Sequence, residues 1–363
     1  MKKYTPKLLI KYLLKEFSFS LGIFVIIFLS LIIISAFLEE ILFFREKNLK
    51  ENFFVITFFL TMVKTPALLI SMMPFVFLFS GIFFFVKLLR NNEVSPLSLS
   101  GFSKNFITLV PASFSFFLGV FVILILTPIS SELSKYYESF KRKYSENENL
   151  IIMNNTGIWI KEIKDTKTNI IRADIIKDEN FNKLKNISIY KFSEKNNLNE
   201  RIDAKYAKVE EKKWILINAI IINSKSEKKD KIIYQTNINI EELKNYFINP
   251  KTFSIWNIRE ETDKFIEKGY DAHELIITLH KYLSLPILLF GIIIISTFFT
   301  IRIGYSFNNF IYGFYGIMIG IILYFLSDLS IAIGKSGKIP LELSVWFPVI
   351  LIMTISFYSL LRE

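Results

Sequence analysis

The chain has 363 residues, 52% of them hydrophobic with 38 Phe, and a formal net charge of +11. A mean hydropathy of +0.40 is too high for a soluble protein of this length and signals several membrane spans. Cysteine is absent, which excludes a disulfide framework, a thiol nucleophile and any Cys-based metal site.

A bilayer core about 30 Å thick takes about 20 apolar residues in helix. In chain order, residues 17–38, 67–89, 106–127, 282–300 and 310–333 qualify, and the shorter 345–361 is bracketed by the interfacial aromatics Trp346 and Tyr358. Residues 53–63 are too short to span and read as a helix near the surface, interrupted at Lys64-Thr65-Pro66. The first span is too long for a cleaved signal and is followed by Glu39-Glu40 instead of a small-residue cleavage site. Six spans put both ends on one side. Short-loop Lys and Arg favour that side by ten to six, five of the ten lying before residue 16, so both termini are expected in the cytoplasm.

The loop between the second and third spans, RNNEVSPLSLSGFSKN at 90–105, is more elaborate than a turn requires. A short amphipathic helix there, with Leu97 and Leu99 to bury, Asn92 and Glu93 for polar contacts and Gly101 as its C-cap, would be a handle for a cytoplasmic ATPase. The same residues also fit a merely solvated loop.

Everything soluble lies between the third and fourth spans, on the far side of the membrane. From 129 to 274 there are 27 Lys+Arg against 24 Asp+Glu, a net of +3, which leaves +8 of the +11 on the membrane part. The basic balance therefore follows topology, and no Arg–aromatic surface for nucleic acid is present. Short β-prone runs recur: TGIWIKEI, TNIIRADII, LKNISIYKF, RIDAKYAKV, KWILINAIIIN and KIIYQT. They predict an antiparallel sandwich or jelly roll. The run WILINAIII at 214–222 is apolar on both faces. It is either a strand buried on both sides or the wall of an acyl-chain slot, with Ile189, Leu216 and Ile220 pointing inward.

Familiar chemistry does not assemble. Gly334-Lys335-Ser336 lacks the earlier P-loop glycine, since Leu329 stands there, and it follows a membrane helix. His273-Glu274 lacks the second zinc-binding His, Ile277 standing in its place, and His280 is about 10 Å further along a helix. No active site is recognisable, and no cofactor or metal is expected. In the fifth span Gly313, Gly316 and Gly320 permit close helix approach, either within the chain or at a partner seam. Asp328 is an acid inside the same span, either functional or capped by Ser327 or Ser330.

NNEVSPLSLSGFS resembles the signature of the lipopolysaccharide-export permease family, the LptF/LptG type. NTGIWIKE, NISIYKF, RIDAKYAKV, KKWILINA, Asn249-Pro250, KGYDAHEL, HKYLSLPILLF and YFLSDLSIAIGKSGKIPLELSVWFP follow in that family's order over essentially the whole chain. The resemblance implies a fold of six transmembrane helices, three and three, around an inserted periplasmic β-jelly roll. It divides the chain into 1–130, with a coupling helix at about 91–103, then 131–267 and 268–363. It further implies a permease that is not itself an enzyme, paired with a homologous subunit and driven by a dimeric ABC ATPase. Lipid would enter through gates at the first and fifth spans and leave through the jelly roll to periplasmic bridge proteins. The ATPase-coupling residues are then Asn92, Glu93, Leu97, Leu99 and Gly101. KGYDAHEL and the setting of Asp328 lean towards LptG. The chain departs from some such members at Ala36, where a basic residue would meet lipid phosphate, so that another lipid or a lipoprotein stays open; Arg45 or Lys47 would have to substitute. The expectation is an inner-membrane exporter of lipopolysaccharide or a related lipid; the alternative is a membrane-anchored sensor or scaffold with a ligand-binding β domain.

Overall fold

A computed structural model describes residues 7–45, 53–144, 150–154, 157–164, 167–175, 183–192, 198–210, 213–222, 226–236, 249–267, 272–303 and 309–361. The chain divides into two units, one of residues 1–139, 251–258 and 276–363, the other of 140–250 and 259–275. Among the described residues, six helices are long and apolar enough to cross a membrane.

In the first unit, α1 (Lys7–Phe44) and α2 (Phe53–Arg90) have 38 residues each, about 57 Å at 1.5 Å per residue. Phenylalanines stitch them together: Phe24 stacks on Phe79 with centroids 5.9 Å apart, and Phe17 meets Phe84 edge-on at 5.6 Å. The expected break at Lys64-Thr65-Pro66 does not occur, because α2 runs straight through it. Thr57, Thr61 and Thr65 each donate to the carbonyl four residues back. In an apolar surrounding, leaving the helix would also strand backbone groups that no water can satisfy.

The short α3 (Val94–Leu99) leads to the third span, α4 (Lys104–Phe121), which passes through a π-turn (Val122–Leu126) into α5 (Thr127–Tyr144). Pro128 has no N–H for the Leu124 carbonyl four residues back, and Trp256 Nε1 donates to that carbonyl at 3.2 Å. After α6 (Ile258–Glu267), the last three spans are α7 (His273–Ile303), α8 (Asn309–Lys335) and α9 (Leu341–Leu361). His280 Nδ1, on α7, accepts from Trp346 Nε1 at 3.2 Å, a structural use of that histidine.

In the second unit, seven antiparallel strands form one sheet in sequential order: β1 (Leu150–Asn154), β2 (Gly157–Lys164), β3 (Lys167–Ile175), β4 (Lys183–Phe192), β5 (Leu198–Glu210), β6 (Lys213–Ile222) and β7 (Ser226–Gln235). The chain is thus a helical membrane protein with an inserted antiparallel β domain, whose described strands form a meander.

Period-two alternation fails at one line across this sheet. Buried positions run Leu184, then Ile187 and Ile189 on β4; Ile202 and Ala204, then Ala207 and Val209 on β5; Trp214 and Leu216, then Ala219 on β6. The register sets Asn186 against Lys205 and Lys205 against Asn218, since the pairs on either side of them are Lys185–Tyr206, Ile187–Ala204, Tyr206–Ile217 and Ala204–Ala219. Asn186 and Asn218 have φ of 50° and 54°, a region that asparagine tolerates better than most residues. Each strand swaps faces at this crease. The inward residues of β6 are therefore Trp214, Leu216, Ala219 and Ile221, and Ile220, expected to point inward, falls on the other face. Ile220 is only half-buried, and Ile217 and Ile222 on the outer face are about 40% exposed, so this strand is not buried on both sides.

The crease makes a sharp demand on residue 218. Asn218→Val should destabilise the β domain by roughly 1–3 kcal/mol, the cost of holding a β-branched residue at positive φ. Asn218→Gly should stay within about 1 kcal/mol of wild type. Denaturant unfolding followed by circular dichroism tests the pair; equal midpoints for Asn218→Val and wild type would refute the constraint.

Candidate functional site

The loop singled out between the second and third spans is built from two successive helix stops. At the end of α2, Asn92 has φ 54°, with its N–H on the Leu89 carbonyl and that of Glu93 on Leu88. At the end of α3, Gly101 has φ 89°, with its N–H on Ser98 and that of Phe102 on Leu97. Both are Schellman turns, and asparagine and glycine are the residues such turns favour. Val94 is buried, Leu97 packs against the helix core and Leu99 is 89% exposed.

Glu93 is held by partners from its own chain. Tyr12 on α1 donates its hydroxyl to Glu93 Oε2 at 2.6 Å, and Asn91 Nδ2 donates to Oε1 at 2.8 Å. One turn further along α1, Glu16 pairs with Lys87 of α2 at 2.6 Å. The Tyr12 contact spans 81 residues and has no local sequence signal.

The other end of α1 is also tied. Lys64 of α2 lies 2.6 Å from Glu39 and 3.5 Å from Glu40, and Tyr137 of α5 donates to Glu40 at 2.6 Å. Ala36 is buried, so a long basic side chain would not fit there without displacing its neighbours. The cation at this level comes from the second helix, as Lys64, which sequence reasoning missed. Arg45 ends the described part of α1, and Lys47 lies outside the described residues.

On α8, Gly316 and Gly320 sit against Phe79, Ile82, Phe75 and Leu78 of α2, where an added Cβ would come within 2.9 Å of a side-chain atom. This pair of glycines packs within the chain. Gly313 lies on the same helix. Asp328 is exposed, and its partner is the Tyr324 hydroxyl one turn back, not Ser327 or Ser330. Ser330 instead donates to the Ser344 carbonyl of α9 at 2.6 Å. Leu31, Ile34 and Leu38 of α1 and Ile317, Ile321 and Phe325 of α8 are all more than half exposed.

In the β domain, Ile189 and Leu216 are fully buried in the interior cluster. The same interior holds a polar clasp. Glu162 on β2 accepts from the Tyr234 hydroxyl at 2.7 Å and from Thr236 Oγ1 at 2.8 Å, and Asn169 Nδ2 on β3 donates to Tyr234 Oη at 3.1 Å. β2 and β7 are not neighbours in the sheet, so these side chains meet across its concave face. Among the described residues, no three His, Cys, Asp or Glu group to hold a metal ion.

Burial first, then the charge of Glu162, raises the Tyr234 pKa far above the usual tyrosine value. An unfolded tyrosine ionises near pH 10. The clasp's contribution to stability is therefore complete below about pH 10 and lost as pH rises towards the folded value. Tyr234→Phe should cost about 1–3 kcal/mol at neutral pH by leaving Asn169 and Glu162 short of a partner. It should also flatten the fall in unfolding midpoint between about pH 10 and pH 12; an unchanged slope would remove Tyr234 from that role.

Across residues 11–362 the chain matches the model of the lipopolysaccharide export system permease LptF/LptG. Among the curated proteins, none matches the chain. Six helices fit to cross a membrane among the described residues, the β domain inserted between the third and fourth, and this match along nearly the whole length agree: the chain belongs to the LptF/LptG family of lipopolysaccharide export permeases.

Proposed function

We propose that the chain is the membrane subunit of an ATP-driven exporter that moves lipopolysaccharide or a related lipid out of the inner membrane, with α3 as the handle gripped by a separate cytoplasmic ATPase. The observation that carries this reading is the construction of α3: a six-residue helix between two spans, fixed by a Schellman turn at each side and tied to α1 through Glu93 and Tyr12. Force applied to such a helix moves α1 with it. α1 and α8 keep apolar faces open along their lengths, as helices that admit a lipid sideways would. Glu93 and Leu99 meet the ATPase, while Asn92, Leu97 and Gly101 hold the handle's shape. Gly316 and Gly320, with Gly313 on the same helix, let α8 slide against α2, and Asp328 with Tyr324 faces the partner permease or the cavity. Residues 131–267 receive the lipid on the periplasmic side and hand it to bridge proteins. A homologous permease completes the cavity.

Glu93→Lys should leave insertion intact, because the residue sits at the solvent end, and should weaken ATPase docking. A charge-assisted bond at a packed interface is worth roughly 1.5–3 kcal/mol, so docking should fall by at least tenfold. Tyr12→Phe should instead preserve docking and lower ATP-dependent lipid release, since only the tie to α1 is cut. Reconstituted complexes in which both variants release lipid like wild type would sink the handle.

Orientation has its own test. The chain has no cysteine, so Lys185→Cys and Ser98→Cys, both exposed, each introduce a unique thiol. A membrane-impermeant thiol reagent should label Lys185→Cys in intact spheroplasts and Ser98→Cys only after permeabilisation. The opposite pattern would invert the molecule and remove the ATPase from α3.

A further inference from the structure

We propose that the indole N–H of Trp214 is a hydrogen-bonding station for the ester or amide carbonyl of an acyl lipid held in the interior of the β domain. The proposal rests on the lipid-export reading and adds to it a specific donor and the lipid group that it takes.

Among the described residues Trp214 is the largest fully buried side chain, with 0% of its surface exposed. Its Nε1 has no hydrogen-bond partner among the described residues. Buried donors are nearly always paired, because an unmade bond leaves the whole desolvation cost uncompensated. A tryptophan that only filled space here could be replaced by an apolar ring that lacks this liability. Trp214 lies directly opposite Tyr234 on the neighbouring strand, and Tyr234 is the centre of the clasp with Glu162 and Asn169.

The surroundings decide what the donor takes. Leu216, Ile189 and Ile160, buried in the same cluster, make the neighbourhood suitable for alkyl chains. The carboxyl group of Glu162, on the same interior face, disfavours a phosphate or any other anion. A neutral acceptor attached to an alkyl chain fits both conditions, and that is the carbonyl of an acyl ester or amide. Access follows from how the sheet is closed. Its edges, β1 and β7, share no backbone ladder among the described strands, and the clasp that joins β2 to β7 consists of side chains. Side-chain hydrogen bonds can part without breaking any strand pairing.

The test uses the full chain in a maltoside detergent, which has no ester, with 15N-labelled tryptophan. The four tryptophans give four indole signals, and Trp214 is the one that survives combined Trp159→Phe, Trp256→Phe and Trp346→Phe. Two soluble probes are titrated, dihexanoyl phosphatidylcholine and its dihexyl ether analogue, which differ in the carbonyls alone. The ester should shift the Trp214 signal downfield and bind about tenfold more tightly than the ether, the worth of one hydrogen bond to a buried donor. With β-(3-benzothienyl)alanine at position 214, of the same shape but with sulfur in place of N–H, the ester-to-ether ratio from equilibrium dialysis should fall to about one. A Trp214 signal unmoved by the ester, equal shifts with both probes, or a ratio unchanged by the sulfur analogue would overturn the station. ATP-driven lipid release by the reconstituted wild-type complex separates the two readings. Release without ester preference removes the station and keeps export, whereas ester preference without release removes export and keeps the station.

Discussion

A charge inside a bilayer has no water to stabilise it, so a long apolar helix can carry ionised groups only near its ends, and each of them needs a partner. The α1–α2 pair is organised by that constraint. Glu16 and Glu40 are 24 residues apart, about 36 Å along α1, slightly more than the thickness of the hydrocarbon core. At one level Glu16 pairs with Lys87 and Tyr12 with Glu93; at the other, Lys64 and Tyr137 gather Glu39 and Glu40. Between them the contacts are phenylalanine on phenylalanine, which fix separation far better than they fix position along the axis. The result is a helix pinned by directional bonds at both ends and held by non-directional ones between.

The β domain repeats this division of labour without a membrane. Backbone ladders join each strand to the next in sequence, and the interior packs apolar side chains from β2 to β7. What draws the two sides of the sheet together is the small polar group around Tyr234. Such a closure is strong while every member is satisfied and weak once one is lost, because each partner would then be left buried and unpaired.

How much of this was legible in the sequence depended on the range of the signal. Spans and strands were readable because hydropathy and alternation are local, and the runs from GIWIKEI to KIIYQ fall on β2 to β7. The first turns of α2 were misjudged because Pro66 stops a helix in water, where the freed backbone has an alternative, and not in an apolar medium. The face swap at Asn218 was invisible for a different reason. A single φ of 54° inverts every later position of the strand, and in so uniformly apolar a run as WILINAIII neither phase announces itself. The pairings of Tyr12, Lys64 and Tyr137 leave no local signal, because their partners lie 81, 25 and 97 residues away.

The loop motif shows how a signature can mix two kinds of requirement. Asn92 and Gly101 occupy left-handed positions at the ends of α2 and α3, and the backbone alone accounts for their identities. Val94 and Leu97 are used to seat α3 on the helix core. Neither fact calls for a partner. Two residues remain whose placement the fold does not explain by itself. Leu99 is an exposed leucine at the tip of a helix otherwise well packed for its size, and Glu93 is a carboxylate at the solvent end drawn to α1. A leucine costs least when something covers it, and a carboxylate that already accepts from Tyr12 and Asn91 still has lone pairs for a cation. The part of the motif that faces outward is thus an apolar tip beside an anchored acid, and a partner carrying an apolar groove flanked by arginine or lysine is the surface that complements it.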